Sequence, residues 1–230
     1  MTVQLTPRLC AIVDNVIPCN SAVDVGCDHA YVGVYLTQTG KVKNMTVSDI
    51  NEGPIENARE AVKDAGLSDR VTCIRCDGLD GIAPQDTVII AGMGGELIRD
   101  ILQKAEWTKN GTRLILQPMS MGDVLRKFLF ENGYRIAKED IAVEKDRVYT
   151  IIVAEGGVCD SWCEADLYLS DLSHKDAPVF LDKTITRMSK ILKGMEMAEN
   201  ADIEQIESIK KLIYELTLRR DRRENNGKDN

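Results

Sequence analysis

The sequence predicts an α/β protein: a mostly parallel sheet with helices on both faces, closed by an antiparallel hairpin strand and followed by a helical hairpin. Three observations predict it. Short apolar runs alternate with helical patterns from Ala22 to Glu131, the signature of parallel strands joined by crossover helices. The period then changes to two over residues 134–144 and 148–154, flanking the polar turn Lys145 to Arg147, which reads as a β-hairpin. After Gly156 and Gly157 it becomes four and three: Leu181, Ile185, Met188, Leu192 and Met195, then Ile206, Ile209, Ile213 and Leu216. Two seams of that kind predict paired helices with a coiled-coil-like interface. The domain boundary is placed at the glycine pair, giving domains 1–157 and 158–230.

The first helical pattern spans Thr6 to Pro18, with Leu9, Ile12, Val13 and Val16 on one side, Pro7 near its start and Pro18 at its end. Strand one (residues 22–25) runs through Gly26 into a crossover helix, residues 31–36. A second strand, residues 44–48, closes on Asp49, and residues 54–65 have helical spacing with Gly66 as a stop. Residues 71–76 form a third strand. The fourth, residues 86–91, is almost wholly apolar, as a strand buried on both faces must be, and enters the turn-like Gly92 to Gly95. A helix over 96–104, a fifth strand over 112–117 ending at Pro118, and a helix over 124–131 complete the alternation. Beyond the boundary, Asp176 caps a helix carrying Pro178 in its first turn. The polar run Glu199 to Asp202 separates the two long helices, and the charged end beyond Arg219 is expected to fray.

A length of 230 residues suits one sizeable domain with an appendage, and 43% hydrophobic with 29% charged residues suits a soluble core-forming chain. No apolar run reaches the roughly 18 residues a membrane span needs, and the first ten residues lack a secretory pattern. Seven cysteines, an odd number, point to a reducing cytoplasm rather than a disulfide framework. The net charge of -8 excludes whole-molecule attraction to nucleic acid but leaves room for a local basic face.

The stretch SAVDVGCDHAYVGVY, from Ser21 to Tyr35, organises the rest. A strand that turns at a glycine into a helix brings its backbone close to a ligand, and turn amides then meet the ligand's negative groups. Gly26 is the closest point. An acid or a turn glycine stands at the end of each of the four strands, Asp28, Asp49, Asp77 and Gly92, and with their neighbours they give Gly26, Asp28 and His29; Asp49, Ile50 and Asn51; Asp77 and Gly78; Gly92 and Met93. Asp49 follows the glycine turn at about the 20-residue separation of a ribose-binding carboxylate. The dinucleotide fingerprint G-x-G-x-x-G is absent, since no glycine follows Gly26 until Gly33. With no pyrophosphate cradle, the layout suits a methyl-donor nucleoside, S-adenosylmethionine, better than a nicotinamide cofactor. These ten residues are the expected cofactor contacts.

DVGCDHAYVG, SDINEGPIENA, CDGLDGI, VIIAGMGGELI and LILQP, read together, resemble the bacterial tRNA (adenine-22-N1)-methyltransferase family. The resemblance runs from about Leu9 to Val153, and the trailing helices are similar to that family's coiled-coil C-terminal domain. It implies a class I methyltransferase fold, S-adenosylmethionine as donor and a tRNA adenine as acceptor. One departure is Met119 after Gln117 and Pro118, where the family carries asparagine.

Adenine N1 carries a free lone pair, so catalysis is expected to rest on placement more than on a base. The product cation spreads its charge to the exocyclic amine, and a carboxylate accepting from that amine stabilises it. Asp28 is the catalytic candidate, with a helix cap as its structural alternative. Tyr31 reads either as a base-stacking platform or as core, and His29 either as a contact or as a helix-start residue. The Asn/Asp-Pro-Pro-aromatic motif of other N-methyltransferases is missing after strand four. Cys73 and Cys76, like Cys159 and Cys163, read as reduced thiols rather than metal ligands. Arg187, Lys190, Lys193, Lys210, Lys211 and the cluster from Arg219 to Arg223 are either a solvated helix face or a tRNA clamp. The chain is expected to act as a monomer. A small-molecule methyltransferase of the same fold and a non-catalytic nucleotide-binding assembly protein are the alternative functions.

Overall fold

The computed structural model describes residues 4–198 and 202–226. The chain divides into two compact units, Met1–Asp160 and Ser161–Asn230. In the first, the elements follow in the order α1 (Pro7–Asp14), β1 (Cys19–Val25), α2 (Tyr31–Gln38), β2 (Val42–Asp49), α3 (Glu52–Asp64), β3 (Val71–Arg75), β4 (Thr87–Gly94), α4 (Gly95–Lys104), β5 (Arg113–Ser120), α5 (Gly122–Glu131), β6 (Tyr134–Glu144) and β7 (Arg147–Gly156). The sheet has seven strands in the order β3-β2-β1-β4-β5-β7-β6. β1 pairs in parallel with both β2 and β4, while β7 is antiparallel to its neighbours β5 and β6.

Alternate residues of each central strand feed opposite cores, because successive side chains leave a strand on opposite faces. Ala22, Val47, Ile89, Ile115 and Val153 pack with Ile12, Val34, Leu36 and Ile55 under α1, α2 and α3. Val23, Val25, Val88, Ile90, Leu114 and Ile152 pack with Ile98, Leu102, Leu125 and Leu129 under α4 and α5. Both faces are covered, so the apolar runs are continuous rather than alternating.

Two local expectations are corrected. α1 ends at Asp14, four residues before Pro18, because Asn15 takes over the cap: its N–H donates to Ile12 O at 3.3 Å and its Nδ2 donates to Ala11 O at 2.8 Å. The glycines after strand four are not a turn. β4 continues through Gly94, and β5 continues past Pro118 to Ser120, pairing Met93 with Pro118 and Gly94 with Ser120 across register shifts. Such shifts tolerate both a proline without an N–H and glycines without side chains.

In the second unit α6 (Ala177–Glu196) and α7 (Ile203–Asn226) pack on each other through Leu181, Thr184 and Met188 on one helix and Ile206, Leu212 and Leu216 on the other. α7 is helical to Asn226, including the charged stretch beyond Arg219. Asp176 precedes α6 without a side-chain capping bond. Glu199, Asn200 and Ala201, expected in the connecting turn, lie outside the described residues.

Candidate active site

The strand order reverses between β1 and β4, so the crevice beyond the carboxyl ends of these strands is where an open α/β sheet binds its ligand. Gly26 closes β1 at φ +73°, and a Cβ there would stand 2.2 Å from the Met93 methyl group. That left-handed φ favours glycine, and a side chain here would also have to displace the flexible end of Met93. The amides of Gly26 and Cys27 both donate to Ser48 O, at 2.7 and 3.1 Å. This corrects the expectation of ligand-facing donors at these two residues: Gly26 supplies close approach, while its N–H is committed to the sheet.

After Cys27 the turn is built from two non-glycine residues in the left-handed region, Asp28 (φ 48°) and Ala30 (φ 55°). Ala30 N donates to Cys27 O at 2.8 Å. Ala30 is the N-cap of α2 and makes no side-chain capping bond, so Asp28 does not hold the cap position; the first-turn N–H of Gly33 bonds to the Asp24 carboxyl instead. The Asp28 side chain is 72% exposed, and its near partner is His29 Nε2 at 3.7 Å. The His29 and Tyr31 rings stack at 5.3 Å with 25° between their planes. Tyr31, 47% exposed, is not a core residue.

The other strand ends hold their groups differently. Asp49 Oδ1 accepts from Asn51 N at 2.9 Å, opening α3, while Oδ2 makes no hydrogen bond among the described residues. Ile50 beside it is exposed, its carbonyl accepting from Arg75 Nε at 3.1 Å. Cys76 N donates to Asp49 O at 3.1 Å, which ties the end of β3 to that of β2. Asp77 pairs with Lys104 Nζ at 3.1 Å on the surface, so part of its carboxylate is already engaged, and Gly78 follows at φ +59°. Gly92 stands at φ +79° where β4 shifts register.

Sequence reasoning left one residue unused. Asp24, inside β1, is fully buried; burial pushes its carboxyl up to about 7, opposed by a hydrogen bond from the Gly33 backbone. It underlies the turn that carries Gly26 and Asp28. The signal was an acid within a strand otherwise apolar on both sides. Burial, reinforced by the charges of Asp24 and Asp49, also raises the Cys27 thiol, so it stays protonated and unreactive. All seven cysteines are free thiols, and among the described residues no group of three or more His, Cys, Asp and Glu is placed to hold a metal. No helix of the described chain is long and apolar enough to cross a membrane.

A seven-stranded sheet with this order and one antiparallel strand, bearing a glycine cradle and strand-end carboxylates at its switch point, defines a class I methyltransferase domain. A family model described as a methyltransferase domain matches residues 5–152. The chain belongs to the family of the Bacillus subtilis (strain 168) tRNA (adenine(22)-N(1))-methyltransferase, with 35% identity over 163 residues, 69% of this chain and 68% of that protein. The crystal structure of the B. subtilis m1A22 tRNA methyltransferase TrmK superposes with a TM-score of 0.78 at 26% identity, covering 97% of this chain and 98% of that one. A Streptococcus pneumoniae protein, Sp1610, a candidate tRNA (m1A22) methyltransferase solved with S-adenosyl-L-methionine, gives 0.80 at 30% identity over 91% and 100%.

Proposed function

We propose that the chain transfers a methyl group from S-adenosylmethionine to N1 of adenine 22 in tRNA. The observation that carries the reading is the turn from Gly26 to Ala30, which leaves Asp28, His29 and Tyr31 exposed at the switch point of a methyltransferase sheet. The donor set fits the cofactor. Asp49 keeps an oxygen for ribose hydroxyls, Ile50 and Asn51 flank it, Asp77 and Gly78 stand at the next strand end, and Gly26, Gly92 and Met93 leave the backbone close to the ligand. S-adenosylmethionine supplies the electrophilic methyl group. The chain's residues then position the acceptor, because the N1 lone pair needs no base to remove a proton. The stacked rings of His29 and Tyr31 form a platform for an unstacked base. As positive charge spreads to the exocyclic amine, the Asp28 carboxylate accepts its N–H and offsets that charge.

We also assign the tRNA-facing charge of the second unit to α6. Arg187, Lys190 and Lys193 are exposed and make no ion pair among the described residues. Much of the positive charge expected on α7 is neutralised: Lys210 by Glu196 and Glu207, Arg219 by Asp166, Arg220 by Asp182 and Asp221. Lys211 and Arg222 remain exposed, and the Arg223 side chain lies outside the described residues. The two units, taken as a methyltransferase domain and a helical RNA-binding appendage, divide the labour.

The test incubates the chain with labelled S-adenosylmethionine and unmodified tRNA, then identifies the methylated nucleoside and its position. N1-methyladenosine at position 22 is the expected product, and Asp28→Asn should lower kcat about tenfold or more with cofactor affinity within about twofold. Cofactor binding without any transfer to tRNA would overturn the reading.

A further inference from the structure

The shift of register at the end of β4 takes the Gly92 amide out of the ladder between Ala91 and Met93, and a side chain replaces the lost partner. Gln117, fully buried at the end of β5, accepts from Gly92 N at 3.2 Å through Oε1. The same oxygen accepts from Arg8 Nη1 at 2.8 Å. On the other side of the amide, Nε2 donates to Pro118 O at 3.0 Å and lies 3.5 Å from Met119 Sδ. The partners of this buried amide lie in α1 and in the last residues of β4 and β5.

Two donors converging on Oε1 fix which way the amide points. A flipped Gln117 would set its NH2 group against the Gly92 N–H and the Arg8 guanidinium, and would lose the donation to Pro118 O. Arg8 is held in turn. It lies in the first turn of α1, its guanidinium carbon stands 5.7 Å from the centre of the Tyr149 ring, and Arg147 engages the Tyr149 side chain. A Cβ on Gly92 would lie 3.7 Å from Arg8 Nη1, so the guanidinium rests against that glycine.

We infer that Arg8, acting through Gln117, is a positioning residue for the active site: it fixes the backbone at Gly92 and Met93 and at Pro118 and Met119, the two strand ends that border the crevice. Resting on the function proposed above, the inference adds α1 to the apparatus of a site whose other parts follow β1 to β4. It also gives Met119 a role. The thioether meets the positioning amide, 3.5 Å from Gln117 Nε2.

The test uses the full chain and three variants, Arg8→Met, Arg8→Lys and Gln117→Glu, with thermal unfolding to establish folding, calorimetric S-adenosylmethionine binding, steady-state transfer to unmodified tRNA and amide hydrogen exchange of residues 91–97. Arg8→Met keeps length and packing on Tyr149 but removes the donor. It is expected to lower kcat about tenfold or more, speed exchange of the Gly92 amide about tenfold and weaken cofactor binding, because Gly92 and Met93 border the cofactor, with tRNA KM within about twofold. Arg8→Lys, which keeps one donor, should restore part of kcat and most of the exchange protection. Gln117→Glu keeps acceptors for Arg8 and Gly92 but loses the donation to Pro118, so Gly92 stays protected while kcat falls. A folded Arg8→Met with native kcat and native exchange would overturn the inference. If the native chain binds cofactor yet methylates no tRNA, the function reading fails and the exchange measurement alone decides the role of Arg8. Should Arg8→Met not fold, Arg8→Lys decides in the same way: native kcat with native exchange of Gly92 overturns it.

Discussion

Asp24 is the residue whose chemistry is most at odds with its surroundings. Burial raises its carboxyl from 3.8 to about 7, and the Gly33 amide offsets only part of that. Below pH 3.8 the group is protonated in both the folded and the unfolded chain. Between that value and about 7 only the unfolded chain loses the proton, so stability contributed by this site falls as pH rises through the window and levels off above it. Asp24→Asn keeps an acceptor for Gly33 and cannot ionise. Its Tm relative to the native protein is expected to rise from pH 5 to pH 8 by about 4 °C or more, at the 2–4 °C per kcal/mol usual for this size. A variant whose Tm difference is flat across that range would show that Asp24 does not titrate there. Asp24 escaped the sequence reading because a strand pattern records which positions are apolar and not why one is not. Asp28, Asp49 and Asp77 were legible because they sit where strands end. Their different commitments were not, since Lys104 reaches Asp77 from a helix 27 residues on.

At the scale of elements, α5 is bolted to β6 by an ion pair inside the core. Arg126 and Glu139 are 2% and 0% exposed at their side chains, with Arg126 Nε 2.7 Å from Glu139 Oε1. Gly122 O and Thr150 Oγ1 accept further bonds from the guanidinium at 3.1 and 3.3 Å. Removing one partner leaves a desolvated charge, so Glu139→Ala is expected to destabilise the protein by about 3–5 kcal/mol in urea unfolding, and an apolar pair at both positions to recover much of that loss. Equal stabilities for the single and double variants would contradict this. Neither residue was foreseen as core, because a charged side chain on a helix or strand reads as solvent-facing until its partner is known. The extension of β4 to Gly94 was hidden similarly. Three glycines in four residues argue for a turn locally, and only pairing with β5 carries the strand on through Met93 and Gly94 to the start of α4.

At the scale of the whole molecule, a chain of net charge -8 must bind a polyanion through a small part of its surface. If α6 is that part, replacing Arg187, Lys190 and Lys193 together by Ala should weaken tRNA binding and lower the slope of log affinity against log salt by about 2 to 3. Methyl transfer at saturating tRNA should be little affected, and an unchanged salt slope would place the tRNA contacts elsewhere. The α/β alternation, the hairpin and the helical seams were all legible in the sequence, because each is a periodicity that burial imposes. Which cations on the long helices remain unpaired was not, because that depends on side chains brought together from distant residues, as in Arg220 with Asp182 and Arg219 with Asp166.

The strand order also has a consequence for how the chain is made. β1 carries the cradle glycine, yet one of its two neighbours is β4, whose pairing with Ala22 to Val25 begins at Thr87. During synthesis the first strand therefore leaves the ribosome with an apolar edge that nothing encoded before residue 87 can cover in the native way. Non-local parallel pairing of this kind forms slowly and leaves the growing chain open to aggregation. A nascent chain stopped short of β4 would hold the whole SAVDVGCDHAYVG stretch and still lack the crevice.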